Sequence, residues 1–166
     1  SLTTTDCNKA AKMTYSLANF YKYASNRKNK IFNNVKEEID ILSQYLNIEK
    51  LRFGDQLHFE LEIDKTTNNV LIPYMIFQPL VENAIKHGFS SETKSILIKL
   101  KLVENEDGIS IFIFDSGRQF DESLENGFGI LSVKRKLELL YGSQFKMQFF
   151  NSPNKHVFLQ IPKNID

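Results

Sequence analysis

The stretch PYMIFQPLVENAIKHGF, Pro73 to Phe89, decides how the chain folds. Its apolar residues recur at helical spacing, so Ile76, Leu80 and Ile85 can face a sheet. Pro79, Asn83, Lys86 and His87 fall close together on another face, with Glu82 about 100° round from Asn83. Gly88 stands where a C-cap glycine is expected. The spacing predicts one helix over 73–89, apolar on one side and carrying an amide, an ammonium and an imidazole near its end.

Outward from this helix the period changes to two. Leu57, Phe59, Leu61 and Ile63 alternate with His58, Glu60 and Glu62, the pattern of a half-buried strand. Ile96, Ile98, Leu100 and Leu102 repeat it, and so do Ile109, Ile111 and Ile113. Between them ENEDG, 104–108, is a turn in which Asp107-Gly108 suits a hairpin. A polar loop over 116–128 leads to a helix over 130–141, with Ile130, Val133, Leu137 and Leu140 on one face and Gly142 as its cap. Phe145, Met147 and Phe149 form another strand, and Val157, Leu159 and Ile161 the last.

Upstream, Ala10 to Ala24 has apolar residues at helical spacing, with Thr3 to Asp6 as candidate caps and a polar break over Ser25 to Lys30. Asn34 can cap a second helix, with Glu37 as its capping-box partner. Val35, Ile39, Leu42, Leu46 and Ile48 or Glu49 continue that helix. These two amphipathic helices either pack on the following domain or await a partner bundle, and the pattern leaves both open. The element order predicts an α/β (α+β) two-layer sandwich: a mixed, mainly antiparallel sheet with helices on one face and an N-terminal helical extension. It lacks the βαβ alternation of a Rossmann domain.

Composition narrows the classes. The chain has 166 residues, 42% hydrophobic and 25% charged, as in soluble globular proteins. A net charge of +1 gives no support to a nucleic-acid or anionic-membrane surface. Cys7 is the only cysteine, so neither an internal disulfide nor a Cys-rich zinc site is available. The apolar run Val70 to Val81 is interrupted by Pro73, Gln78 and Pro79 and is too short to span a bilayer. SLTTTDCNKAAK at the start lacks the apolar core of a signal peptide.

Three short motifs carry the chemistry. An Asn83 amide oxygen is a hard ligand suited to Mg²⁺, and Lys86 can meet phosphate oxygens as a point charge. Glu82 could reach an ion directly or through water. Such residues are also common on a solvent-facing helix. Asp115-Ser116-Gly117 ends an apolar strand, where a carboxylate can accept from the exocyclic amine of a base and Gly117 allows close approach. An ordinary strand-to-turn step reads the same way. Gly127-Phe128-Gly129 opens a helix, whose N-terminal amides form an anion site. The ordered triple is far more specific than any part.

LVENAIKHG, DSG and GFGILSVKRKLELLYG resemble the N, G1 and G2 boxes of sensor histidine kinases with the Bergerat (GHKL) ATP-binding fold, in the LytS-like subgroup. VKEEIDILSQYLNIEKLRFGDQL resembles that subgroup's lead from the second dimerisation helix into the catalytic domain. The resemblance implies a partial dimerisation-region helix and linker helix over 1–52, and a HATPase-type ATP-binding catalytic domain over 53–166. It implies that Asn83 ligates Mg²⁺ with Glu82 beside it, that Lys86 and His87 face the phosphates, and that Asp115 holds the adenine amine in a pocket shaped by Gly117. Gly127 and Gly129, with Ile130 beside them, would close over the phosphates. The chain departs from the pattern at Gln119, Ser132 and Lys136.

Two absences shape the expected activity. His58, His87 and His156 lie outside any PHFLFN-like context, so the resemblance implies a fragment whose phosphoacceptor histidine lies upstream. Hydrolytic relatives carry a Glu four residues before the metal Asn, where this chain has Pro79. Transfer to a histidine is therefore expected rather than hydrolysis. The implied cofactors are ATP and Mg²⁺. The implied partners are the protein's own dimerisation and phosphoacceptor domain, as a homodimer, and a response regulator, with no nucleic acid. The expected place is a cytoplasmic domain of an integral membrane sensor. The alternatives are a degenerate nucleotide-binding scaffold without phosphotransfer, and a stand-alone GHKL ATPase.

Overall fold

A computed structural model describes residues 7–26, 30–89, 94–120 and 127–162. Two N-terminal helices, α1 (Cys7–Asn26) and α2 (Val35–Phe53), flank a short strand β1 (Phe32–Asn34). Then follow β2 (Leu57–Ile63), β3 (Leu71–Pro73), α3 (Phe77–Gly88), β4 (Ile96–Asn105), β5 (Gly108–Asp115), α4 (Phe128–Tyr141), β6 (Lys146–Phe150) and β7 (His156–Ile161). The main sheet runs β2-β4-β5-β7-β6. Only β2 and β4 are parallel; the other pairs are antiparallel. This is the expected mixed, mainly antiparallel sheet.

In β4, β5 and β7 the period-two residues point as the alternation requires, whereas in β2 only Leu57 is fully buried and Leu61 is exposed. Ile96, Ile98, Leu100, Leu102, Ile109, Ile111, Ile113, Leu159 and Ile161 are essentially inaccessible and meet Leu80, Val81, Ile85, Val133 and Leu137 of the helices. The outer face is less polar than a solvated sheet face usually is. Phe112, Phe114, Phe150 and Phe158 gather there around His156, with ring centroids 4.8–6.2 Å apart. Lys99 reaches across to Glu62 at 2.6 Å, an exposed pair of little energetic weight.

Helix α2 begins as expected. The Asn34 side chain accepts from the Glu37 amide at 2.8 Å. Its buried stripe is wider than predicted, adding Glu38, Ile41 and Tyr45. Helix α1 covers only part of its own apolar stripe. Phe20 is buried against Tyr45, while Leu17 and Tyr21 remain exposed. The expected caps at Thr3 to Asp6 lie outside the described residues. Of the polar break expected over Ser25 to Lys30, Ser25 and Asn26 continue α1, and residues 27–29 lie outside the described set.

The central helix is shorter than the sequence predicts, because Pro73 to Ile76 do other work. Leu71–Pro73 pair antiparallel with Phe32–Asn34, a ribbon the sequence reading missed. Met75 then adopts φ 52°, a left-handed turn that an apolar side chain rarely takes. A buried carboxylate fixes this turn. Glu38 accepts from Asn33 Nδ2 at 2.7 Å and from the Ile76 amide at 3.2 Å. Lys136 of α4 donates to the Tyr74 carbonyl at 2.8 Å. Three elements thus converge on the residues that aim α3.

Glu38 is 2% exposed, and burial raises its pKa above the ordinary carboxyl value. The folded chain therefore holds this proton more tightly than the unfolded chain. The stability so gained is full below the unfolded carboxyl pKa and is lost as pH rises through the folded one. Urea denaturation across the acid range is expected to show Glu38→Gln with a flatter fall in stability than the parent. An unchanged slope would contradict this assignment.

The other terminal details also differ. Gly88 is the last residue of α3 and has no positive φ. Its bare Cα instead admits the side chain of Ile96, which a Cβ would overlap. In the β4–β5 hairpin, Asn105 pairs with Gly108, so the two connecting residues are Glu106 and Asp107. Gly108, at φ 142°, lies against the Ile161 backbone.

Candidate functional site

Asp115 is the last residue of β5, opposite Ile98, and points to the helix side of the sheet like Ile113 before it. Its Oδ1 accepts from the Gly117 amide at 2.9 Å and from the Lys155 ammonium at 2.7 Å. The two charged side chains are only 2% and 7% exposed. Among the described residues Oδ2 carries no bond, which leaves one acceptor oxygen. Ser116 clips the turn to the start of β4, donating its amide to Leu97 O and accepting the Leu97 amide at Oγ.

Gly117 has a steric reason to lack a side chain. A Cβ there would sit 2.5 Å from the Gly88 Cα and 2.8 Å from Asp115 Oδ1. The end of α3 and the Asp115 turn therefore touch backbone to backbone. Gly117→Ala is expected to destabilise by about 1–3 kcal/mol, the cost of overpacking a tight site. Chemical denaturation would show it, and a change below about 0.5 kcal/mol would mean that the two glycines part freely.

Helix α3 separates the four polar residues into two pairs. Asn83 and His87 are half-buried and share a helical stripe with Pro79. Glu82 and Lys86 are exposed, and both line a groove of about 580 Å³ against the N-terminal helices. Its other walls include Tyr45, Glu49, Arg52 and Gln78. Lys86 was expected beside Asn83 and His87; the structure puts it with Glu82, one turn away on the flank. Burial raises the Glu49 pKa. Glu49 Oε2 lies 3.5 Å from Arg52 but makes no hydrogen bond, so that ion pair is a loose one.

The Pro79 stripe leads to α4. Gly129, in the first turn of α4, lies against Pro79, where a Cβ would stand 3.4 Å from the Pro79 carbonyl oxygen. Gly127 is the N-cap residue, and no side chain caps the helix. Its first-turn amides, with that of Ile130 among them, are thus available to an anion. Ile130 itself is buried in the core. Residues 121–126 of the preceding loop lie outside the described residues.

Sequence reasoning missed two residues here. Lys155, just before β7, was given no role; no local periodicity marks a lysine that will be buried. Asn151 was likewise passed over. Its side chain accepts the Phe120 amide at 2.7 Å and donates to the Phe120 carbonyl at 3.1 Å. That clamp holds the Phe120 ring 4.4 Å from the Lys155 ammonium and against Phe149. A cavity of about 580 Å³ opens at this end of the sheet, lined by Asp115, Gly117, Gln119, Asn151, Asn154 and Lys155 among others. A larger cavity of about 710 Å³ lies elsewhere, along α4 near Ile31 and Leu139; it takes Phe128 from the third motif and no residue from the other two. The first brings Asp115 and Lys155 together with Lys99, Lys101 and Phe114 of the outer sheet face, and no residue of α3 or α4 lines it.

Among the described residues no cluster of three His, Cys, Asp or Glu could hold a metal ion, and no helix is long and apolar enough to cross a membrane. The donor set does fit a magnesium nucleotide. It offers one amide oxygen on α3, one spare carboxylate oxygen at the end of β5, glycine contacts without side chains, and an uncapped helix N-terminus.

This arrangement of sheet and helices is the fold of histidine kinase catalytic domains. The catalytic domain of the histidine kinase ThkA superposes with a TM-score of 0.59 at 19% identity, over 81% of this chain and 97% of that one. ThkA in complex with the response regulator protein TrrA matches with a TM-score of 0.55 at 17% identity, over 93% of this chain and 49% of that one. A family model described as histidine kinase matches residues 1–57. Sensor histidine kinase YesM of Bacillus subtilis is 28% identical over 159 residues, 92% of this chain and 27% of YesM. Sensor protein LytS of Oceanobacillus iheyensis is 26% identical over 167 residues, 92% of this chain and 28% of LytS. The chain is thus similar to sensor histidine kinases, LytS among them, over most of its length. It spans little more than a quarter of the length of these relatives.

Proposed function

We propose that residues 53–166 are the ATP-binding catalytic domain of a sensor histidine kinase, and that residues 1–52 carry the end of its dimerisation region and the linker helix. The γ-phosphate of ATP goes to a histidine outside this chain. The observation that carries this reading is the meeting of three motifs on one framework. The Asp115 turn touches α3 through Gly117 and Gly88, and the α4 N-terminus touches α3 through Gly129 and Pro79.

In this reading Asp115 Oδ2 accepts from the base amine, and the α4 amides with His87 hold phosphate oxygens. Asn83 offers its amide oxygen to Mg²⁺, an ion usually held by few protein ligands together with phosphate oxygens. ATP supplies the phosphoryl group; the chain orients it and offsets its charge. Glu82 and Lys86 flank the site on the side of the N-terminal helices, from which an acceptor side chain would approach. The position four residues before Asn83 is Pro79, which cannot serve as a base for water. The domain would work as a homodimer with its phosphoacceptor region, pass the phosphoryl group to a response regulator, and lie on the cytoplasmic side of a membrane sensor.

A second reading has an observation of its own. Lys155 already occupies one oxygen of Asp115, and Gln119 stands where relatives have a second glycine, so the site could bind nucleotide as a scaffold without transfer. Incubating the full-length protein with ATP labelled at the γ-phosphate separates the two readings. Kinase activity predicts acid-labile label on protein, lost in Asn83→Ala. Nucleotide binding with no label would favour the scaffold.

A further inference from the structure

Resting on the reading of Asp115 as the base acceptor, we infer that Lys155 is a specificity-determining residue that donates to the ring nitrogen beside the base's exocyclic amine. The ammonium is held rather than wandering. It is bonded to Asp115 Oδ1 at 2.7 Å, its side chain is 7% exposed, and the Phe120 ring lies 4.4 Å away. Phe120 is fixed in turn by the two Asn151 hydrogen bonds.

An ammonium has three protons. One is used by Asp115 Oδ1, and the Phe120 ring face takes up a second direction. Among the described residues no other acceptor bonds Lys155. Asp115 is in the complementary position, with Oδ1 doubly bonded and Oδ2 open. The cavity is therefore lined by an acceptor oxygen and a donor nitrogen side by side. Adenine shows the matching pair on its Watson–Crick edge, an N6 amine beside the N1 acceptor. A base with no acceptor next to its amine would leave the Lys155 proton facing a C–H group.

The test compares ADP with 1-deaza-ADP, in which a C–H group replaces N1, by calorimetry in excess Mg²⁺. The unaltered chain is expected to bind ADP about tenfold to a hundredfold more tightly, the usual worth of a hydrogen bond to a charged group. In Lys155→Met, the two ligands should bind within about twofold of one another. If the unaltered chain binds ADP and 1-deaza-ADP equally, the inference is overturned, Lys155 is only the counter-ion of Asp115, and the nucleotide reading stands. If it binds neither, both fail together. The comparison on the unaltered chain depends on no variant's folding.

Discussion

Replacing Asp115 with alanine is expected to destabilise the fold by about 3–5 kcal/mol, the cost of leaving one member of a buried ion pair without its partner. Both side chains are almost inaccessible, at 2% and 7% exposure, so water cannot easily solvate the Lys155 ammonium left behind. The Phe120 ring would remain over it, but a cation–π contact offsets only about 0.5–2 kcal/mol. The Asp115 turn would also lose the Gly117 amide bond, and with it the fit of Gly117 against Gly88. Urea denaturation checks this. The double replacement Asp115→Leu with Lys155→Met should recover most of the loss, because it removes both charges together. A loss below about 1 kcal/mol would mean that the pair is screened like a surface one.

Asn83→Ala is expected to have the opposite profile. Asn83 is half-buried in the middle of α3, and alanine is the better helix former by up to about 0.7 kcal/mol, so stability should hold or rise slightly. Nucleotide affinity in Mg²⁺ should fall by about 100-fold, at the upper end of what is lost when even an outer-shell partner of a metal is removed. The dependence of affinity on Mg²⁺ should disappear with it. Calorimetry with and without the ion measures both effects. A variant that keeps its Mg²⁺ dependence would remove Asn83 from the metal site.

Most of the framework was legible in the sequence because alternation is a local signal. Ile96 to Leu102 and Ile109 to Ile113 announce buried strands without reference to anything else. What stayed hidden depends on distant contacts. Nothing near Glu38 says that its carboxylate will hold the Ile76 amide, 38 residues away. The ribbon of Phe32–Asn34 with Leu71–Pro73 is too short to show a period, so the start of α3 was set four residues early. Gly88 was read from its place at a helix end, whereas its constraint comes from Ile96 across the sheet.

The site divides in the same way. Asn83, Asp115, Gly117, Gly127 and Gly129 stood out as motifs. The 40-residue separation of Asp115 and Lys155 left the lysine invisible until the β5–β7 pairing brought the two together. Helical spacing alone could not decide the side of Lys86, which lies between the Asn83 stripe and the Glu82 stripe; packing of α1 and α2 against α3 decided it.

The central claim is that one nucleotide bridges the Asp115 turn, the Asn83 stripe and the α4 N-terminus. Amide NMR during a titration with Mg²⁺-ADP tests it most directly. The account predicts shifts at Asn83, His87, Asp115 to Gly117 and Gly127 to Ile130, saturating together with a single affinity. Shifts confined to the groove of Tyr45 and Glu49, or to the cavity beside Ile31 and Leu139, would contradict it, as would none at millimolar nucleotide.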